Sequence, residues 1–202
     1  MDGFPAARIR GDMREWFAPV AGPVFKGFAD WYGADVAVAT GWQTAHSVML
    51  LGSCRARAYL VHDHESEFYP TSVESLWAEA TYGLGMHAVC GSPWLASIVG
   101  SRYGGTTSLF QFGVDHEVYW PRPVERASNV IAFYGREVTA RRAVPLALMA
   151  LQEVIASSPG LRVLSFGSDV PLRAPFEHEH LGVLSHDELA EVFSSATVGV
   201  VL

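Results

Sequence analysis

Short apolar runs alternate with helix-period patterns along most of this chain, and that alternation limits the fold more than any other feature. Asp35–Thr40 reads as an apolar strand and Gln43–Leu51 as a helix. Ala58–Val61 is the next strand, and Thr71-x-x-Glu74 is a capping box opening a helix through Leu76, Ala80 and Leu84. His87–Cys90 follows as a strand. Ser92-Pro93 then supplies a cap with proline at the first helical position, and Gly104 suits that helix's end. Leu109–Phe112 is a fourth strand. After Pro121, Pro123 and a polar stretch to Asn129, the pattern restarts. Val130–Tyr134 is a strand, and Val144, Ala147, Leu148, Leu151, Val154 and Ile155 share one helix face. Leu161–Phe166 is a strand, Ser185-x-x-Glu188 a second capping box, and Thr197–Leu202 a buried strand. Such alternation predicts parallel sheets with helices on both faces, and the proline-rich break predicts two of them.

Composition narrows the function. Half the 202 residues are hydrophobic and 17% are charged, enough apolar material for a sizeable core. A net charge of -7 argues against a nucleic-acid partner. Two cysteines, Cys54 and Cys90, form no disulfide framework and read as thiols in a reducing compartment. No apolar run reaches the roughly 20 residues of a membrane span, and the N-terminus lacks a signal-peptide pattern. These features predict a cytoplasmic location. A chain that stops on a core strand with nothing to cover it is expected to be a piece of a longer protein.

In open α/β sheets, ligands bind beyond the carboxyl ends of the strands. The strand at 130–134 runs into Gly135-Arg136, and the next helix is expected to open with Thr139-Ala140-Arg141-Arg142. Glycine admits a ligand to the backbone, a helix N-terminus favours anions, and arginine matches phosphate oxygens. The set suits a diphosphate, although a turn glycine with surface arginines would have the same spacing. Gly167-Ser168-Asp169 closes the following strand and could border a base or ribose, or be a plain turn. His62-Asp63-His64-Glu65 follows a strand end, but alternation lets only every second side chain converge and no third ligand supports a metal. No metal is expected, and His62 or Asp63 suits a catalytic or substrate-contacting role. His178-Glu179-His180 reads as a solvated loop, and Trp77 and Trp94 as packing residues. Ser92 reads as a cap because no nucleophile elbow surrounds it. There is no P-loop and no Gly-x-Gly-x-x-Gly, which disfavours an epimerase.

Taken in order, Ser92-Pro-Trp-Leu95, Phe112-Gly-Val-Asp115 with Tyr119-x-Pro121, Phe133-Tyr-Gly-Arg136 and His180-Leu-Gly-Val-Leu-Ser185 with Glu188-Leu189 form a pattern. It resembles the retaining, nucleotide-sugar-dependent glycosyltransferases of the GT-B fold. Tyr59–Asp63, Glu65, Phe68-Tyr69-Pro70 and Ala78–Tyr82 look closest to bacterial rhamnosyltransferases of polysaccharide assembly. The likeness spans residues 31–202. It implies an α/β fold of two Rossmann-like lobes, both incomplete: an acceptor-side domain over 1–124 and a donor-binding domain over 125–202. It implies a nucleoside diphosphate sugar as donor substrate, with no cofactor. The acceptor would be a saccharide or a lipid-linked sugar, and a lipid-linked one would bring peripheral contact with the inner membrane face. Gly135, Arg136 and Arg141 or Arg142 would hold the diphosphate, Gly167 would lie near the nucleotide, and His62 and Asp63 would face the reacting sugar or acceptor. The pattern is departed from in two ways. Arg141 or Arg142 stands where lysine is usual, and the family's acidic motif would lie beyond Leu202, so this chain alone is expected not to transfer sugar. The rival class is a non-catalytic glycosyltransferase-like binding or scaffold module.

Overall fold

A computed structural model describes residues 6–16, 19–25, 27, 31–138 and 140–202. The described chain is α/β, with two four-stranded parallel sheets and helices packed on them. Contacts divide it into two compact units, one of Met1–Asp63 and Ala80–Phe110, the other of His64–Glu79 and Gln111–Leu202. No helix among the described residues is long and apolar enough to cross a membrane.

After helix α1 (Ala6–Trp16), the first sheet contains β1 (Ala34–Ala39), β2 (Cys54–Val61), β3 (His87–Cys90) and β4 (Thr107–Leu109), paired in that order. Ala37, Ala39, Tyr59, Val61, Ala88 and Cys90 meet Ala45 and Val48 of α2 (Trp42–Leu50) and, further along the chain, Leu95 and Val99. Val36 and Val38 alternate with the buried alanines on edge strand β1 and are half exposed. Burial pushes the Cys90 thiol up, which keeps it protonated and unreactive. Residue type accounts for several ends. Helix α3 spans Val73–Thr81, and the Ser72 hydroxyl accepts from the Ser75 N–H, so the cap is Ser72 rather than Thr71. Helix α4 (Pro93–Tyr103) opens on Ser92, whose hydroxyl accepts from Leu95 N–H, and closes on Gly104 at φ 68°. Strand β4 lies two to three residues earlier than the expected 109–112, because pairing with β3 starts at Thr107. Trp77 and Trp94, expected in the core or between domains, are more than half exposed and so are not core residues.

The second sheet orders β7 (Glu179–His180), β6 (Arg162–Phe166), β5 (Val130–Tyr134) and β8 (Val198–Val200). Both faces of β5 are buried, which is why Val-Ile-Ala-Phe-Tyr is continuously apolar rather than alternating. Ile131 and Phe133 meet Val144, Ala147, Leu148 and Leu151 of α5 (Val144–Ser157). Val130 and Ala132 turn the other way, onto the cluster holding Leu189 and Val192 of α6 (His186–Ser195). Val154, expected on the core face of α5, is exposed. Ser185 and Glu188 form the capping box of α6 in both directions. Two expectations fail on strand position. Among the described residues the final strand pairs with β5, and Val198 on it is half exposed rather than buried. His178–His180 is no solvated loop, since Glu179 and His180 pair with β6 as β7.

Candidate functional site

Strand order reverses at β5: β6 lies on one side of it and the later β8 on the other. A parallel sheet opens a crevice at the carboxyl end of such a strand, because the connections leave it in opposite directions. A cavity of about 640 Å³ lies there, lined by Tyr134 at the end of β5 and Arg136 after it, Phe166 at the end of β6 and Gly167 to Val170 after it, and Val183, Leu184 and Leu189 around the start of α6.

Hydrogen bonds hold its wall together. Gly135 N–H donates to Phe166 C=O at 2.9 Å, extending the β5–β6 ladder by one rung. Gly167 N–H donates to Gly182 C=O at 2.9 Å, which ties the loop after β6 to the loop before α6. Gly167 sits at φ 93°, a left-handed conformation that side-chain-bearing residues rarely adopt. The Ser168 hydroxyl accepts from Val170 N–H and closes a local turn that carries Asp169. Tyr134 and Phe166 pack at a tilt of 43°, 5.5 Å between centroids, and give the cavity an aromatic wall.

The charged groups of the lining are notable for their partners. Arg136, Glu137 and Asp169 are all exposed at the cavity. Among the described residues, none of the three makes a side-chain hydrogen bond or ion pair. Elsewhere in the same unit, Arg122 pairs with Asp187 and Glu191, and Arg162 pairs with Glu179. A cation left unpaired beside a preformed, partly apolar cavity is available to an anion.

Arg136 and Gly167 line the same cavity. Gly135 is buried beside it, and a Cβ there would come within 2.3 Å of Leu172 Cδ1. Arg141 and Arg142 are not in the first turn of a long helix: they sit on a short 3-10 turn, Ala140–Arg142, and α5 begins at Val144. Pro145 explains the delay, since it is favoured in a first turn, and Ala143 at φ 44° breaks the helix before it. Thr139 lies outside the described residues. The Arg142 guanidinium lies 5.4 Å from the centroid of Tyr134, on the aromatic wall, and donates to Leu202 C=O. Arg141 lies 4.6 Å from the centroid of Phe68. Neither lines the cavity.

His62 is exposed and Asp63 half-buried at the carboxyl end of β2. Their neighbours His64 and Glu65 are the buried members of the run, at 5% and 3% exposure. His64 Nδ1 is 2.9 Å from the Glu67 carboxylate and Nε2 is 3.3 Å from the Ser66 hydroxyl, so both ring nitrogens are engaged within the turn. Asp169 enters the sequence reading only within the Gly167-Ser168-Asp169 turn, and Tyr134, Val183 and Leu184 only within the motifs of the resemblance. None of the four is marked there as a site residue. Val183 and Leu184 are brought in by the Gly167–Gly182 hydrogen bond, which a local reading does not show.

Comparison with known proteins finds an informative likeness. Over 137 residues, 67% of this chain, it is 33% identical to the O-antigen biosynthesis protein RfbC of Myxococcus xanthus. The match covers 11% of that protein, so the chain spans a small part of its relative's length. No family model matches.

Proposed function

We propose that this chain is part of a glycosyltransferase that moves a sugar from a nucleoside diphosphate sugar to a saccharide or lipid-linked acceptor in polysaccharide biosynthesis. The observation that carries this reading is Arg136, without a side-chain partner among the described residues, at a cavity of about 640 Å³ on the carboxyl end of β5. The cavity has room for a nucleotide, a cation for its diphosphate and aromatic and aliphatic walls for its uncharged parts. Likeness to an O-antigen biosynthesis protein supports the polysaccharide setting. Rhamnose is the donor sugar favoured by the sequence resemblance.

In the transfer, the sugar's anomeric carbon–oxygen bond to the diphosphate breaks, a bond from that carbon to the acceptor hydroxyl oxygen forms, the hydroxyl proton is released, and negative charge grows on the departing diphosphate. A guanidinium at that position stabilises the departing charge more than the ground state, which is the condition for raising the rate. Arg142, stacked on Tyr134, adds positive charge behind the aromatic wall. In this reading His62 and Asp63 act on the sugar or acceptor, and residues 1–124 form the acceptor-side domain with 125–202 as the donor side.

Isothermal titration of the purified chain with UDP, dTDP, GDP and ADP tests the donor half. The reading expects saturable binding of at least one diphosphate and its loss in Arg136→Ala. Absence of binding to all four would sink it. Sugar transfer by the full-length protein, assayed with the matching nucleoside diphosphate sugar, separates an enzyme from a binding module on the same fold.

A further inference from the structure

The cavity is electrically polarised, and its negative side has no role yet. Arg136 reaches it from the end of β5, while Asp169 reaches it from the loop after β6. Asp169 is exposed and, among the described residues, has no side-chain partner. A carboxylate cannot assist a diphosphate and would repel one placed beside it. It accepts hydrogen bonds, and the groups of a nucleotide that donate them belong to the nucleoside: sugar hydroxyls and base N–H groups.

We infer that Asp169 is a specificity-determining residue that reads the nucleoside half of the ligand. This rests on the reading of the cavity as a nucleoside diphosphate site. The geometry of its loop supports the assignment. Gly167 turns the chain in the left-handed region, its N–H is fixed on Gly182, and Ser168 accepts from Val170 N–H. Asp169 therefore sits at the apex of a turn anchored on both sides rather than on a free-running loop. Tyr134, Phe166, Val183 and Leu184 line the same cavity and supply apolar surface for a base or sugar ring. A ligand with an anionic end and an uncharged, donor-bearing end satisfies Arg136 and Asp169 together only in one direction. Its diphosphate lies at Arg136 and its nucleoside at Asp169. Glu137 follows Arg136 and carries the same charge as Asp169, so it serves as the control for a purely electrostatic effect.

Titration of Asp169→Ala, Glu137→Ala and Arg136→Ala with the tightest-binding nucleoside diphosphate and with inorganic pyrophosphate tests this. Asp169→Ala should weaken the nucleoside diphosphate roughly tenfold or more, as for a lost charge-assisted hydrogen bond, and leave pyrophosphate unchanged. Arg136→Ala should weaken both. The source of the donor is read from two analogues, one altered only at the 2′ position and one methylated at the base N–H. The analogue lacking the true donor binds wild type weakly and is insensitive to Asp169→Ala. Unchanged nucleoside diphosphate affinity in Asp169→Ala overturns the inference. So does an equal change in pyrophosphate affinity, or tighter binding of both ligands in Asp169→Ala and Glu137→Ala alike. If wild type binds no nucleoside diphosphate, the reading of the cavity fails and takes this inference with it. If it binds and Arg136→Ala alone matters, the cavity reading stands and the role of Asp169 does not.

Discussion

The ring of Tyr134 occupies the space that a side chain at Gly167 would need: a Cβ built there lies 2.3 Å from Tyr134 Cε2. Two consecutive strand ends are thus locked by one absent methyl group. Gly167 also holds φ 93°, so Gly167→Ala meets both backbone strain, about 1–3 kcal/mol, and a clash with a ring that Phe166 and Arg142 confine. Chemical denaturation should show Gly167→Ala destabilised by about 2–4 kcal/mol as these costs combine. Its nucleoside diphosphate affinity should fall as well, because the ring is the cavity wall. A variant of wild-type stability would mean that the loop relaxes without strain.

Arg136→Ala should behave in the opposite way. Its side chain is exposed and, among the described residues, unpaired, so the free energy of unfolding should change by less than about 0.5 kcal/mol. Diphosphate affinity should drop by roughly ten- to hundredfold, the value of a charge-assisted contact. A large loss of stability with unchanged binding would reverse the assignment.

The sheets were legible because burial on both faces writes a continuous apolar run, as at Val130–Tyr134, that few other structures need. Caps were legible where one side chain decides them, as at Ser92 and Ser185. Expectation failed where pairing decides instead. Nothing within Thr197–Leu202 distinguishes a half-exposed strand from a buried one, and nothing near His180 announces that β6 recruits it. The arginine pair shows the same limit. Arg141 and Arg142 carry the right charge at the right distance from Gly135, yet the left-handed Ala143 and Pro145 set them on a separate turn, stacked on Phe68 and Tyr134. Residue type announced the chemistry, and the backbone around it decided where the charge is placed.

The two acidic helix starts make stability depend on pH. The Glu188 carboxyl is held below its ordinary value by the Ser185 hydroxyl and then the Ser185 N–H. Glu74 is held down by its own backbone N–H and the Ser72 hydroxyl. A carboxyl with a depressed pKa in the folded state adds stability above its unfolded value, near 4.5 for both. That contribution fades as pH falls through the lower, folded value. Stability of Glu188→Gln measured from pH 7 to pH 3 should therefore fall less steeply at the acid end than wild type. Ser185→Ala, which removes the cap itself, should cost about 1 kcal/mol near neutral pH. Parallel acid limbs in Glu188→Gln and wild type would show that the capping carboxylate gains nothing from the fold.

Gly135 offers a test of whether a glycine beside a cavity serves the ligand or the core. Its backbone amide is committed to Phe166 C=O, and the space above its Cα is filled by Leu172, itself 6% exposed. The close approach that requires glycine here is made by a side chain of the protein. Gly135→Ala should then be destabilised by about 1–3 kcal/mol through overpacking. Leu172→Ala should lose about 2–5 kcal/mol through its cavity. Combined, the two should cost less than their sum, since the methyl at 135 enters space that Leu172 vacates and contacting residues do not add. Nucleoside diphosphate affinity per folded molecule should change little in the double variant. If affinity collapses while the stabilities simply add, the glycine is there to admit the diphosphate, and Leu172 is only its neighbour.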